Sequence, residues 1–103
     1  MRIEIEHQKE TYGSGRWMVD IMSDDAEVGS LACAEFGNKA HAGAYRKGVE
    51  AFWRGNNQNP YGWDRGTGLG MLRRSGFRNA WRFGWETAQA IDIAASRSKR
   101  TKN

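Results

Sequence analysis

A seven-residue phrase occurs twice in this chain. Ala44-Tyr45-Arg46-Lys47-Gly48-Val49-Glu50 and Ala80-Trp81-Arg82-Phe83-Gly84-Trp85-Glu86 both read Ala-aromatic-Arg-x-Gly-x-Glu. Each copy lies in a stretch of helical periodicity and sets its aromatic residue three places before its glycine, which puts ring and glycine on one helix face. An interior helical glycine costs about 1 kcal/mol against alanine, so two of them need a reason. Close approach of two helix backbones supplies one, with each glycine making room for the aromatic ring of the other helix. Tyr45, Gly48, Trp81 and Gly84 are therefore the expected helix-packing residues.

With 103 residues, 39% of them apolar, the chain has material for one hydrophobic core and not for two. No apolar run approaches the roughly 20 residues of a membrane span, and Met1 leads straight into an alternating pattern rather than a signal peptide, so a cytoplasmic protein with no membrane partner is expected. The single cysteine, Cys33, cannot form an internal disulfide, and His7 and His41 give it no clustered metal-ligand spacing. Neither a metal nor another cofactor is expected, and Cys33 reads as a small buried thiol.

The distribution of charge says more than the net +4. Residues 1–37 hold three basic groups against eight acids, and the remainder holds thirteen against four. An acidic front and a basic back point to a polyanion approaching the C-terminal portion.

In the front portion Ile3 and Ile5 alternate with Arg2, Glu4 and Glu6, and Trp17, Val19 and Ile21 alternate with Met18, Asp20 and Met22, which predicts two strands. Turn residues fill Thr11–Gly15, and Ser23-Asp24-Asp25 precedes a third strand over Glu27–Phe36. Such a meander must cover its apolar face, Trp17 included, with a helix, while its acids alternate outward.

Asn38 is a good N-cap for a first helix reaching about Arg54, where Gly55-Asn56-Asn57 stops it. His41, Ala44, Tyr45, Gly48 and Phe52 share one side of its wheel, and Lys39, Arg46, Lys47, Glu50 and Arg54 the other. His41 then reads as a packing group, and Glu50 as the i,i+4 partner of Arg46 and Arg54. A long connection over Gly55–Gly76 follows, with Pro60 fixing its direction and Tyr61 and Trp63 as aromatic docking or stacking groups. Its Gly66-Thr67-Gly68-Leu69-Gly70 lacks the lysine and Ser/Thr of a phosphate loop and the strand before a dinucleotide fingerprint.

The second helix, from Met71 or Ser75 to Ala95, gathers Phe77, Ala80, Trp81, Gly84, Ala88, Ile91 and Ala95 into an apolar stripe. Arg74, Arg78 and Arg82 line its edge beside Trp85, interleaving guanidinium groups with an indole, and Arg73 adds to the charge. Arginine offers forked donors to phosphate and indole a stacking platform for bases, so this ridge suits RNA. Phe83 points away from the stripe, toward the sheet or a partner. Residues 97–103 read as a disordered basic tail.

The order Ala44-Tyr45-x-x-Gly48, Asn59-Pro60-Tyr61 and Arg78-x-x-Trp81-x-x-Gly84-Trp85-x-x-Ala88 resembles the ribosome modulation factor family over roughly residues 40–90. The resemblance implies a pair of helices joined by a loop with a proline-tyrosine pair, in a small basic protein that binds the bacterial ribosome near the messenger-binding region of the small subunit and favours inactive ribosome dimers. In this chain the spacing from Tyr61 to Trp81 is longer than the family's, and residues 1–37 have no counterpart in its minimal members.

The sequence thus predicts an α+β fold, a three-stranded antiparallel sheet followed by two packed helices joined by a long loop, with residues 1–96 as a single domain (1–37 the meander, 38–96 the helical pair). The expected function is non-enzymatic binding of ribosomal RNA or another ribonucleoprotein through Arg46, Lys47, Arg54, Arg73, Arg74, Arg78 and Arg82, with Tyr61, Trp63 and Trp85 stacking or docking. The alternative is a small phage or mobile-element protein that inhibits a host nucleoprotein machine by protein–protein binding through Phe83 and the acidic sheet. No paired carboxylates, activated nucleophile or glycine-loop lysine offers a catalytic centre.

Overall fold

A computed structural model of the chain describes the backbone of residues 1–8, 15–60 and 69–101, and the side chains of all of these except 69–75 and 98–101. Three strands, β1 (Arg2–Gln8), β2 (Arg16–Met22) and β3 (Ser30–Phe36), form an antiparallel sheet in the order β1-β2-β3, followed by helices α1 (Lys39–Trp53) and α2 (Leu69–Thr101). The α+β class, the three strands and both helices are those the sequence predicts.

Strand alternation fixes the two faces of the sheet. Ile3, Ile21 and Ala32 stand in one row, and Ile5, Val19 and Ala34 in the next. Val19, Ile21 and Ala34 are buried beneath α1, which covers β2 and β3 and leaves Ile5 on edge strand β1 exposed. His7 and Trp17 close the far end of this face as a stacked pair, ring centroids 4.1 Å apart, with the Lys39 ammonium 5.6 Å over the Trp17 ring. Glu4, Glu6 and Glu35 lie exposed on the other face, where Arg16 pairs with Glu35.

β3 starts later than the expected Glu27. Asp25 organises the preceding turn, its carboxylate accepting from the Glu27 N–H at 3.0 Å and its carbonyl from the Val28 N–H at 3.1 Å. The register then slips, with Ile21 opposite Ala32 but Met22 opposite Ser30, leaving Leu31 as the extra residue of a bulge. This register puts Cys33 opposite Asp20 on the outer face, so the thiol is exposed rather than buried.

α1 begins as expected, the Asn38 side chain accepting from the His41 N–H at 3.1 Å. α2 begins at Leu69, ahead of the expected Met71 or Ser75, so its first turns take up the end of the segment read as connection, the helix formers Met71, Leu72, Arg73 and Arg74 outweighing Gly70 and Gly76. At its other end α2 runs past Ala95 to Thr101 and takes in most of the basic segment read as a disordered tail. No glycine or proline follows Gly84 to stop it. From Asp92 to Arg97 every residue is exposed, so this end of α2 outruns the core.

The helices touch at the repeated phrase. A Cβ added to Gly48 would overlap the backbone carbonyl oxygen of Trp81 and lie 2.8 Å from its carbonyl carbon. A Cβ added to Gly84 would overlap the carbonyl oxygen of Tyr45 and lie 3.0 Å from its carbonyl carbon. Each glycine therefore admits the other helix's backbone, at the aromatic residue of the phrase, and not the ring the sequence suggests. The rings flank the contact, with Tyr45 1% and Trp81 5% exposed.

Neighbouring contacts advance together along both helices. His41 meets Phe77 with centroids 4.8 Å apart, Tyr45 meets Phe83 at 5.2 Å, and Phe52 meets Trp85 at 5.3 Å. The helices thus run side by side in the same sense, with the rows Ala44-Gly48 and Gly76-Ala80-Gly84-Ala88 facing each other at the i±4 spacing that brings helical ridges together. His41 is a packing group here, as its wheel position suggests, closing on Gly76 as well as Phe77. Ala88 from α2 joins Val19, Ile21, Ala34, Ala42, Tyr45 and Val49 in the core, which unites sheet and helices.

Gly48→Ala or Gly84→Ala should lower stability by about 2–3 kcal/mol, because the added methyl meets backbone that can yield only by separating the helices. Gly43, also in α1 but with nothing within 4 Å of an added Cβ, is the control, and Gly43→Ala should raise stability by about 0.5–1 kcal/mol. Urea unfolding followed by circular dichroism measures all three.

Candidate nucleic-acid interface

The end of α1 builds one wall of a cleft. Gly55 adopts φ +74° just past the C-cap Arg54. Its N–H donates to the Phe52 carbonyl at 3.0 Å and the Asn56 N–H to the Ala51 carbonyl at 2.9 Å, a Schellman termination that needs a left-handed residue at this position. The reversal sends the chain back along α2 as a strap, residues 56–60, held to α2 at two points and braced by a bond of its own. The Trp85 indole N–H donates to the Asn56 carbonyl at 2.9 Å, the Asn56 side chain accepts from the Gln58 N–H at 2.9 Å, and the Asn59 amide donates to the Arg78 carbonyl at 3.2 Å.

Between strap and helix lies a cleft of about 450 Å³. Asn57 and Asn59 line it from the strap. Arg78, Asn79, Trp81, Arg82, Trp85 and Glu86 line it from α2. Arg78, Arg82 and Trp85 come together as their spacing predicts. The two arginines differ in kind: Arg82 Nε donates to Glu86 at 2.8 Å, while among the described residues no carboxylate pairs with Arg78. The cleft thus carries one surplus positive charge, an indole fixed at its N–H, and the exposed amide of Asn57, which can donate and accept.

The other expected RNA contacts are dispersed. Arg46 and Arg54 both pair with Glu50, at 2.8 and 3.6 Å, and with Arg2, Ile3 and Trp53 they border a separate recess of about 350 Å³. Lys47 is exposed on α1 and borders neither recess. The side chains of Arg73 and Arg74, and the whole of Tyr61, Trp63 and Gly66–Gly68, lie outside the described residues. The Arg and Glu of each repeated phrase form the same i,i+4 ion pair, so the charged half of the repeat braces its own helix.

Asn57, Asn59 and Asn79 were not legible as site residues. The available signal was Gly55, since a glycine just past a helix end implies a reversal that lays the next residues back over the structure.

Phe83 is 52% exposed, at the rim of a third recess of about 320 Å³ that Phe36 and His41 also line. Among the described residues no three His, Cys, Asp or Glu side chains gather to hold a metal ion, and no helix is long and apolar enough to cross a membrane. Comparison with protein families, curated proteins and solved structures finds no match to this chain.

Desolvation, and then Asp20, pushes the Cys33 thiol above its ordinary pKa, the reverse of what activates a nucleophilic cysteine. Despite its exposure, Cys33 should alkylate with iodoacetamide at pH 8 more slowly in the native protein than in the urea-unfolded chain. Mass spectrometry of timed aliquots reads the two rates.

Proposed function

We propose that this protein binds RNA within a ribonucleoprotein, with the ribosome as the target, and acts without catalysing a reaction. One observation carries the reading: Arg78, Arg82 and Trp85 converge on a concave surface with the amides of the 56–60 strap. Guanidinium groups neutralise phosphate, and amides with an indole offer hydrogen bonds and apolar surface to bases. The surplus of basic residues after position 37 supports it by drawing a polyanion to the helical half of the molecule. The ribosome enters through the resemblance of residues 40–90 to the ribosome modulation factor family, which shares the order of aromatic, glycine and arginine positions.

Docking of a protein partner is the second reading. It is favoured by Phe83, an exposed aromatic beside an apolar recess on the sheet side of α2.

The two separate by salt. Tagged protein in a bacterial lysate should sediment with ribosomes through a sucrose gradient at low salt and leave them at raised salt. Arg78→Ala/Arg82→Ala should abolish co-sedimentation and reduce the log–log salt slope of purified RNA binding by about 1–2. Protein remaining at the top of the gradient at all salt concentrations overturns the ribosomal target. Salt-insensitive association lost in Phe83→Ala favours the protein partner.

A further inference from the structure

We infer that the cleft between the 56–60 strap and α2 is a seat for a single unpaired RNA nucleotide whose base carries an exocyclic amino group, an inference that rests on the RNA-binding reading above. Four features point there together.

The first is shape. A cavity of about 450 Å³ lies within the range of roughly 300–1,000 Å³ typical of sites that enclose small molecules. A duplex presents a convex backbone and keeps its bases stacked inside, so it can lie across such a cleft but not enter it. An unpaired base can be turned out and inserted.

The second is the chemistry of the walls. Trp85, with the edge of Trp81, supplies apolar surface, and the exposed Asn57 brings an amide to it from the strap. Side-chain amides carry both donors and acceptors and so match the mixed edges of nucleobases. A plain phosphate site would need neither the indoles nor the amides.

The third is the division of labour between the arginines. Arg82 is paired with Glu86, whereas no described carboxylate competes for Arg78. Arg78 is therefore the group to take the phosphate joined to the inserted nucleotide, and Glu86 leaves an acceptor in the wall. A carboxylate accepts from the exocyclic amino group of cytosine, adenine or guanine, whereas uracil offers only its ring N3–H, flanked by two carbonyl oxygens that repel the carboxylate.

The fourth is preorganisation. The indole of Trp85 is tied to the Asn56 carbonyl and set edge-on to Phe52 at 87°, and Asn59 is tied to the Arg78 carbonyl. Both walls exist before a ligand arrives, so little ordering remains to oppose binding.

Fluorescence anisotropy with the full-length protein tests the inference. The probes are labelled oligoadenylate, oligocytidylate and oligouridylate of equal length, and an RNA hairpin duplex with the same number of phosphates. Oligoadenylate and oligocytidylate should bind about tenfold or more tighter than the hairpin, with oligouridylate the weakest of the single strands. Asn57→Ala changes an exposed residue and should weaken oligoadenylate binding about three- to tenfold, more than it weakens hairpin binding, while leaving the circular dichroism spectrum unchanged. Equal affinity for hairpin and single strands, or an Asn57→Ala variant that binds like the parent, overturns the nucleotide seat and leaves RNA binding standing. Failure to bind any of the four RNAs overturns both. Adenosine monophosphate saturating the protein at the same concentration as oligoadenylate would make the cleft a mononucleotide site and overturn its assignment to RNA.

Discussion

Two peptide backbones in contact, at Gly48 and Gly84, determine where the rest of the helical half lies. A helix pair held apart by side chains can slide or tilt as those side chains change rotamer. Contact between a glycine Cα and a carbonyl of the other helix has no such slack, and here it occurs twice in reciprocal fashion. The aromatic pairs His41–Phe77, Tyr45–Phe83 and Phe52–Trp85 occur at the offset which that contact imposes. Trp85 in turn stands where its indole can reach the carbonyl of Asn56. Through this chain of positions a steric fact at the centre of the helix pair locates the outer wall of the cleft.

The cleft also depends on how α1 ends. The Schellman turn at Gly55 satisfies carbonyls of the last helical turn and simultaneously reverses the chain onto α2. Local backbone chemistry and tertiary placement are there the same event. Polar side chains then anchor the strap from both sides, Trp85 toward the strap and Asn59 toward the helix. Among the described residues no carboxylate pairs with the Arg78 guanidinium on the cleft wall.

Much of this was legible in the sequence, for identifiable reasons. The strands follow from β-branched and aromatic residues at period two, α1 from an Asn38 cap and a Gly55 stop, and the helix pair from a phrase repeated with its glycine in register. A glycine states that something comes close but not what, so a carbonyl rather than a ring in the notch could not be read from it. The face taken by Cys33 follows from its alternation with Ala34 and Phe36, but small residues such as Ala32, Cys33 and Ala34 give period-two reasoning little contrast to work with. The sequence understates α2 at both ends, because the glycine run 66–70 reads as connection and the charged segment after Ala95 reads as disorder. In the site, the Arg78-Arg82-Trp85 ridge followed from helical spacing alone. The asparagines opposite it depended on a chain reversal that brings residues 57 and 59 against residues 78–86.

Because the helices run in the same sense, the touching glycines are 36 positions apart in sequence, and the connection must return along the pair before α2 can dock. An antiparallel hairpin of helices would bring its partners together through a short turn. Here the contact that organises the helical half closes a longer loop than such a turn would, at an entropy cost that grows slowly with loop length. The docking of α2 is consequently a non-local event, and contacts at such sequence separation slow folding.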